Sequence, residues 1–394
     1  MSMNNALIAL APADATRSAR WSGVGEFLVV GGATLVLLPL LWVLRAGVGL
    51  DRADLAAGFL TFYGAFVIND PHFAVTYLLF YKDARRRALS HELRLAYRAR
   101  YWVAGLVVPF GLAAWAAVAL ASRSAQTLGW MIQLMFLLVG WHYVKQGFGV
   151  LMVLSARRQA RWSLSERRII LAHCFAAWAY AWANPAVPAG EFEEKGVVYR
   201  ALAHPRWLEL IALALLAVST VALFWALASK VRRDRQPLPL APLAAFLVSV
   251  WSWTIYSSAD PLLRYFIPAL HSIQYLYFVR LSKGNEAKAA EGPPFFGRPA
   301  SVRLGALALS ALGLGWLLFH GVPSILDPLL VPRGHRGPLD ALGATPVFAT
   351  FFVVVSIHHY FMDAVIWRRD HPGARYLIEP VTPSPASELP LPSG

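Results

Sequence analysis

Cysteine is nearly absent from this 394-residue chain, in which Cys174 is the only one. No intramolecular disulfide can form, and thiolate metal sites and redox pairs are excluded. Charge is scarce too, at 15% of residues, where a soluble protein of this length carries about 25%. Acidic residues are the scarcer sign, 22 against 36 lysines and arginines. The apolar runs do not alternate with polar residues, which argues against a membrane barrel. No internal repeat is visible, which argues against transporters built from duplicated halves. Arg17 and Arg20 precede a long apolar run with no clear small-residue cleavage site, so no cleaved signal peptide is expected.

What is there is hydrophobic, at 57% of residues. Continuous apolar runs of roughly 18 or more residues read as membrane spans. The expected fold is an all-α, polytopic transmembrane helical bundle of about ten spans. Their approximate ranges are 27–44, 55–81, 101–121, 128–154, 169–187, 208–228, 243–256, 262–281, 304–319 and 346–367. Pro71 is expected to kink the second span and Pro268 to sit inside the eighth. Residues 1–20 read as a cytoplasmic N-terminal segment, 21–370 as the bundle, and 371–394 as a cytoplasmic tail, disordered from about Pro380.

The net charge of +14 raises the question of nucleic acid. Its distribution answers it. Basic clusters such as Lys82–Arg87, Arg157–Arg168, Lys230–Arg235 and Arg368–Arg369 follow alternate spans, while Glu191, Glu193 and Glu194 fall in an opposite loop. This is the positive-inside pattern, with both termini inside a bacterial-type inner membrane, and it needs no polyanion.

Within the apolar runs, histidine is out of place. An ionisable group at that depth costs roughly 2.5–3.5 kcal/mol on insertion scales. Yet His72, His142, His271 and the pair His358–His359 lie on spans two, four, eight and ten, all running from outside to inside. Each precedes the cytoplasmic end of its span by about nine to twelve residues, so at 1.5 Å rise all reach similar depth. Neutral imidazoles bind iron, copper or zinc without adding charge, which suits apolar surroundings. His91, His204, His335, His371 and His320 fall in loops or at span ends and read as solvated, and His173 as a cytoplasm-facing polar contact.

Lys145 and Gln146 stand three and four residues after His142, and Gln274 and Tyr275 stand so after His271. Asp363 is four after His359, and Asp70 two before His72. Tyr275, Lys145 and Gln146 are candidates to act on substrate; Asp363, Gln274 and Asp70 are candidates to orient the ligands. Aromatic residues crowd the same layer (Phe73, Tyr77, Trp141, Tyr143, Trp251, Trp253, Tyr277, Tyr360 and Phe361), as suits a large apolar substrate arriving from lipid.

Pro71-His72, Trp141-His142-Tyr143, His271-Ser272, and His358 with Asp363 five positions on share an order with motifs of a known family. In these four short motifs the chain resembles the Brp/Blh-type bacterial beta-carotene 15,15'-dioxygenases, which are polytopic membrane enzymes. The resemblance implies a histidine-ligated non-haem iron that uses O₂ on a lipophilic polyene. It implies His72, His142, His271 and His358 as ligands. Two places depart from the pattern: Tyr275 stands where a second histidine is expected, and Gly147 where an aspartate is expected.

Helix geometry, by contrast, sets Asp363 beneath His359. One histidine of the pair is therefore expected to bind metal and the other to line the substrate side, with His359 and Tyr275 as reserve ligands. The functional expectation is an iron-dependent membrane oxygenase for a lipid-soluble substrate. Two alternatives remain: a transporter or proton relay using His72, Asp70, Lys145 and Asp363, and a haem protein with two axial histidines.

Overall fold

The computed structural model describes residues 23–184, 190–258, 260–291, 295–331 and 342–378. The expected N-terminal segment 1–20, the end of the fifth span, His335 and the tail from Pro380 lie outside these. Among the described residues the fold is all-α apart from one small hairpin. Its helices are α1 (Gly23–Val48), α2 (Leu50–Ala65), α3 (Asn69–Leu89), α4 (Leu95–Ala121), α5 (Ala125–Arg157) and α6 (Leu164–Ala183). They continue as α7 (Arg206–Asp234), α8 (Leu240–Ile255), α9 (Pro261–Ala289), α10 (Ala300–Leu330) and α11 (Pro346–Ile366). Strands β1 (Glu191–Glu194) and β2 (Val197–Arg200) form an antiparallel hairpin between α6 and α7.

Six of these helices, α1, α4, α5, α7, α10 and α11, are long and apolar enough to cross a membrane. The other expected spans correspond to helices that are shorter or more polar. α8 has 16 residues of helix, α3 ends in a run of arginines, α6 opens on Ser165-Glu166-Arg167-Arg168, and α9 carries Arg264, Arg280 and Lys283. Apolar side chains face outward over whole helix faces, as Val218, Val221, Phe224 and Trp225 do on α7 and Leu309 and Leu329 on α10. Patches of this kind on a monomer mark a membrane or a partner.

Local sequence explains the boundaries. Ser124 caps α5 by accepting the Thr127 N–H at 3.1 Å. Ser163 and Glu166 form a reciprocal capping box on α6. Asp260 accepts the Leu262 and Leu263 N–H groups, with Pro261 at the first position of α9. Gly49, at φ +85°, turns α1 directly into α2.

The expected kink of a single second span at Pro71 is corrected. The chain breaks earlier, at Phe66–Ile68, into α2 and α3. Pro71 then sits in the first turn of α3, where its missing N–H would have no intrahelical partner anyway.

Helix α5 is the hub. Its buried apolar residues face several neighbouring elements rather than one. Leu128, Met131 and Met135 pack on α4, β2 and α11; Val144 and Leu151 pack on α6, α7 and α8; Tyr143 packs on α8 and α9. One end of the bundle is basic and tied by polar contacts: Arg158 with Glu26, Arg233 with Glu166 at 2.8 Å, Arg100 with Asp370 at 3.0 Å, and Lys82 with Glu286 at 3.9 Å. The hairpin closes the opposite end, where Arg200 N–H reaches Gln126 at 2.9 Å.

Among the described residues four stretches wind as π-helix: Leu28–Gly32, Val103–Val107, Val248–Ile255 and Leu317–Gly321. A π turn shifts the hydrogen-bond register and leaves carbonyls for other donors. Side chains take them here. Gln274 donates to Val30 O, Tyr81 to Gly105 O at 3.1 Å, and Thr254 to Ser249 O at 2.9 Å.

Candidate metal centre

Helices α3, α5, α9 and α11 meet at mid-bundle and each contributes one imidazole. His72, His142, His271 and His359 are all buried, and one potential ligand atom from each lies within 4.8 Å of the others. The rings close a circuit. Centroid separations are 5.0 Å from His72 to His271, 4.8 Å on to His142, 5.0 Å on to His359 and 4.5 Å back to His72. Neighbouring rings are inclined by 69–87°, so their edges converge rather than stack.

The hydrogen bonding inside this circuit is deficient. His72 and His359 have both ring nitrogens buried without a partner, and so is Nδ1 of His271. Leaving such a group unpaired costs about 1–3 kcal/mol. The Nε2 atoms of His142 and His271 lie 3.1 Å apart. Two nitrogens bound at ~2.1 Å and at a right angle to one ion sit ~3.0 Å apart. A transition metal inside the circuit therefore fits the donor chemistry, the spacing and the unpaired nitrogens together. Zinc, iron and copper all accept an imidazole-rich set.

Among the described residues one carboxylate faces the circuit. Asp363 Oδ2 lies 3.7 Å from His142 Nε2 and 3.8 Å from His359 Nε2. Its other oxygen accepts from Tyr275 O–H at 2.8 Å and Trp367 Nε1–H at 3.1 Å. Thr76 Oγ1 is 2.7 Å from the Tyr275 oxygen and donates to it, because the single tyrosine proton goes to Asp363. Asp363 is thus held from behind by one oxygen and presents the other to the imidazoles, a position from which a carboxylate can orient imidazole ligands.

The neighbouring histidine behaves oppositely, and this corrects the expectation that His358 is a ligand. Its Nε2–H donates to Ala104 O at 2.8 Å, a carbonyl inside the π stretch of α4. That bond fixes the tautomer, so Nδ1 accepts from Tyr77 O–H at 3.0 Å. Both nitrogens are used. Successive residues on a helix point about 100° apart, and α11 turns His359 inward and His358 toward α3 and α4.

The other candidates have different positions. Gln146 donates to Gln274 Oε1 at 2.7 Å and to His271 O at 3.3 Å, and Gln274 donates to Val30 O. The two amides tie α5, α9 and α1 behind the imidazoles. Lys145 makes no hydrogen bond or ion pair with another described residue. Asp70 turns away from the circuit and accepts from His320 Nε2 at 2.8 Å. The Gly147 position packs against α8: an added Cβ would meet Ser249 Cβ at 2.7 Å, so no aspartate fits there.

Of the aromatic layer, Phe73, Tyr143 and Tyr360 border the circuit, their rings 4.6–4.8 Å from those of His72, His271 and His142 respectively. Tyr275 adds a ring 4.6 Å from His72. Trp251 instead lies by His173, and Tyr277 bonds Glu26. His173 is fully buried and bonds Ser219 at 3.2 Å rather than facing the cytoplasm.

Three participants were not singled out in the sequence. Thr76 and Trp367 support Asp363, and His320 pairs with Asp70. Thr76 and Trp367 each stand four residues after a site residue, His72 and Asp363, and that spacing is the signal that could have found them. No family model, curated protein or solved structure significantly matches this chain.

Proposed function

We propose that the chain is a multi-pass protein of a bacterial-type inner membrane that holds one non-haem iron between His72, His142, His271 and His359, and uses O₂ to oxidise a lipid-soluble, carotenoid-like substrate. The observation that carries the reading is the convergence of four buried imidazoles from four helices, with His72 and His359 unpaired at both nitrogens. The order of the histidine motifs, which resembles that of the Brp/Blh-type dioxygenases, points to iron and a polyene. The ligand set proposed here takes His359 in place of His358.

A bound iron would supply O₂ activation. The chain's own residues do the rest. Four neutral imidazoles add no charge, so the Asp363 carboxylate would neutralise half the charge of a divalent ion in the apolar interior. Tyr275 and Trp367 hold the Asp363 carboxylate in one rotamer, and the Gln146–Gln274 pair holds the backbone of His271. Phe73, Tyr143, Tyr275 and Tyr360 surround the imidazoles with rings that exclude water and suit an apolar substrate.

The ten-segment topology with both termini inside belongs to the same proposal, counting α2 with α3. It is supported by the basic clusters at one end of the bundle. The packing of the four rings argues against a haem among them, since a macrocycle needs a slot between its axial ligands. For the relay alternative, Asp70 and Lys145 do not join the circuit.

Metal analysis of detergent-purified protein, made under metal-replete conditions, with an absorption spectrum, tests the reading. The expected result is about one non-haem iron per chain and no Soret band. A Soret band would replace it with the haem reading. Absence of any stoichiometric metal would overturn it.

A further inference from the structure

The metal reading leaves the Asp70–His320 pair without a task, and the pair stands where the lipid-facing surface meets the core. Helix α2 buries Ala53 and Ala57 against α1 and α9. Phe59, Phe62, Tyr63 and Phe66 follow the i, i+3, i+4, i+7 spacing of a different face. The first three are more than half exposed, and neighbouring rings of the file lie 4.6–6.5 Å apart up to Phe66. There the file meets α10: the Phe66 ring lies 4.0 Å from that of His320, inclined by only 15°. Phe319, beside His320 in the same π stretch, is buried, and its ring is 5.3 Å from that of Phe73. Phe73 in turn lies 4.8 Å from His72 and 5.0 Å from His359. A series of rings therefore leads from the exposed side of α2 to two of the four imidazoles. One stack, Phe66 on His320, separates its exposed members from its buried ones.

The two sides of that stack are held unequally. His320 Nε2–H donates to Asp70 at 2.8 Å. Helices α10 and α3 are also locked together there, since a Cβ added at Gly315 would meet the Asp70 carbonyl carbon at 2.7 Å. Phe66 instead sits in the turn 66–68 that separates α2 from α3. Swinging its ring off His320 breaks a stack but no side-chain hydrogen bond. We propose that the lipid-soluble substrate enters sideways from the bilayer between Phe66 and His320, with Phe66 as the moving side of the closure and the Asp70–His320 pair as the fixed side. This rests on the proposed oxygenase function. The occupant follows from the lining. A file of aromatic faces stabilises a flat conjugated chain by stacking at each ring in turn, which a saturated acyl chain cannot match. A closure of this kind controls access and leaves the chemistry to the imidazole circuit.

The test is uptake of β-carotene by the full-length, iron-loaded protein in detergent, without oxygen so that nothing is turned over. β-Carotene is achiral, so visible circular dichroism reports the bound molecule alone, and iron is measured on the same samples. Because the only cysteine, Cys174, is fully buried, a cysteine placed at the entry can be labelled selectively with a bulky maleimide. Labelled Phe66→Cys is expected to keep its iron and take up β-carotene about tenfold more slowly than wild type. Unlabelled Phe66→Cys and His320→Ala, which remove one side of the stack, are expected to keep iron and fill at least as fast as wild type. Phe110→Cys, labelled in the same way on the exposed face of α4, is expected to behave as wild type. Uptake by labelled Phe66→Cys at the wild-type rate overturns the entry path. Iron-loaded wild type that takes up no β-carotene overturns the path and the polyene substrate and leaves the metal site standing. Wild type without iron overturns the function on which the path rests, and the path with it.

Discussion

The histidines divide into two populations that share one bundle. At His72 and His359 both ring nitrogens are buried without a partner, and His271 has one such nitrogen. At His358, the Ala104 carbonyl and the Tyr77 hydroxyl occupy the ring nitrogens; at His320, Asp70 binds Nε2. Burial does not separate them, since His358 is 3% exposed and His359 0%. Bonding does. A protein satisfies buried polar groups wherever it can, so a set of unsatisfied nitrogens facing one point marks a place kept for something that binds there.

Exchanging the two adjacent histidines gives the largest contrast. His359→Ala is expected to abolish stoichiometric iron, because one of four converging ligands is gone. His358→Ala is expected to retain iron and lose about 1–2 kcal/mol of stability from two broken hydrogen bonds. Iron content and thermal unfolding of both variants measure this. Equal iron in the two would erase the distinction between the populations.

Removing the metal itself should be nearly as telling. If the unbonded imidazoles are compensated by an ion, chelation returns their cost. An ion present at 100 times its dissociation constant stabilises by about 2.7 kcal/mol, so the chelated protein is expected to unfold at lower temperature and recover on re-addition of iron. The same chelation should not move the melting of a variant already lacking His359. A melting curve indifferent to chelator in wild type would mean that the cluster tolerates its unpaired nitrogens by itself.

Asp363 probes the boundary between the populations, since it is satisfied on one oxygen and faces the imidazoles with the other. Asp363→Asn keeps the shape and removes the charge. Loss of such a supporting group typically lowers metal affinity about 10–100-fold. Tyr275→Phe removes only one of the two donors to Oδ1 and should have a smaller effect in the same direction. Competitive metal titration ranks the two; a reversed order would show that Tyr275 itself, rather than Asp363, holds the ion.

That His72, His142 and His271 belong together was legible in the sequence, because ionisable side chains in apolar runs are costly and these three stand out in them. The all-α class was legible for the same reason. The choice between His358 and His359 was not. It depends on how α11 is rotated and on a carbonyl that a π turn in α4 frees for His358. A change of register in a different helix leaves no mark in the spacing of Ser356 to Asp363. The break between α2 and α3 was missed because Pro71 looks like a kink, whereas at the start of a helix it is tolerated. Gly147 carried information that only packing reveals: it keeps α5 close to α8.

The smallest expected effect lies outside the membrane-spanning segments, at His371, and it tests whether a bonded histidine responds to protons as the comparison requires. Its Nδ1 accepts the Gly373 N–H at 3.0 Å, closing the turn after α11. Burial, with Arg87 and Lys283 nearby, pushes its pKa down to about 4 from an ordinary value of 6.5. The folded state therefore favours the neutral ring, which protonation would deprive of its acceptor. The stabilisation is fully present above about pH 6.5 and is lost as the pH falls toward about 4. For a partly exposed group the change is on the order of 1 kcal/mol after solvent screening. His371→Asn retains a side chain able to accept from Gly373 N–H and cannot titrate. Its melting temperature should match wild type at pH 7.5 and exceed it slightly at pH 4.5, with iron content unaffected at the higher pH. A wild-type melting profile that parallels the variant across this range would remove His371 from the bonded population.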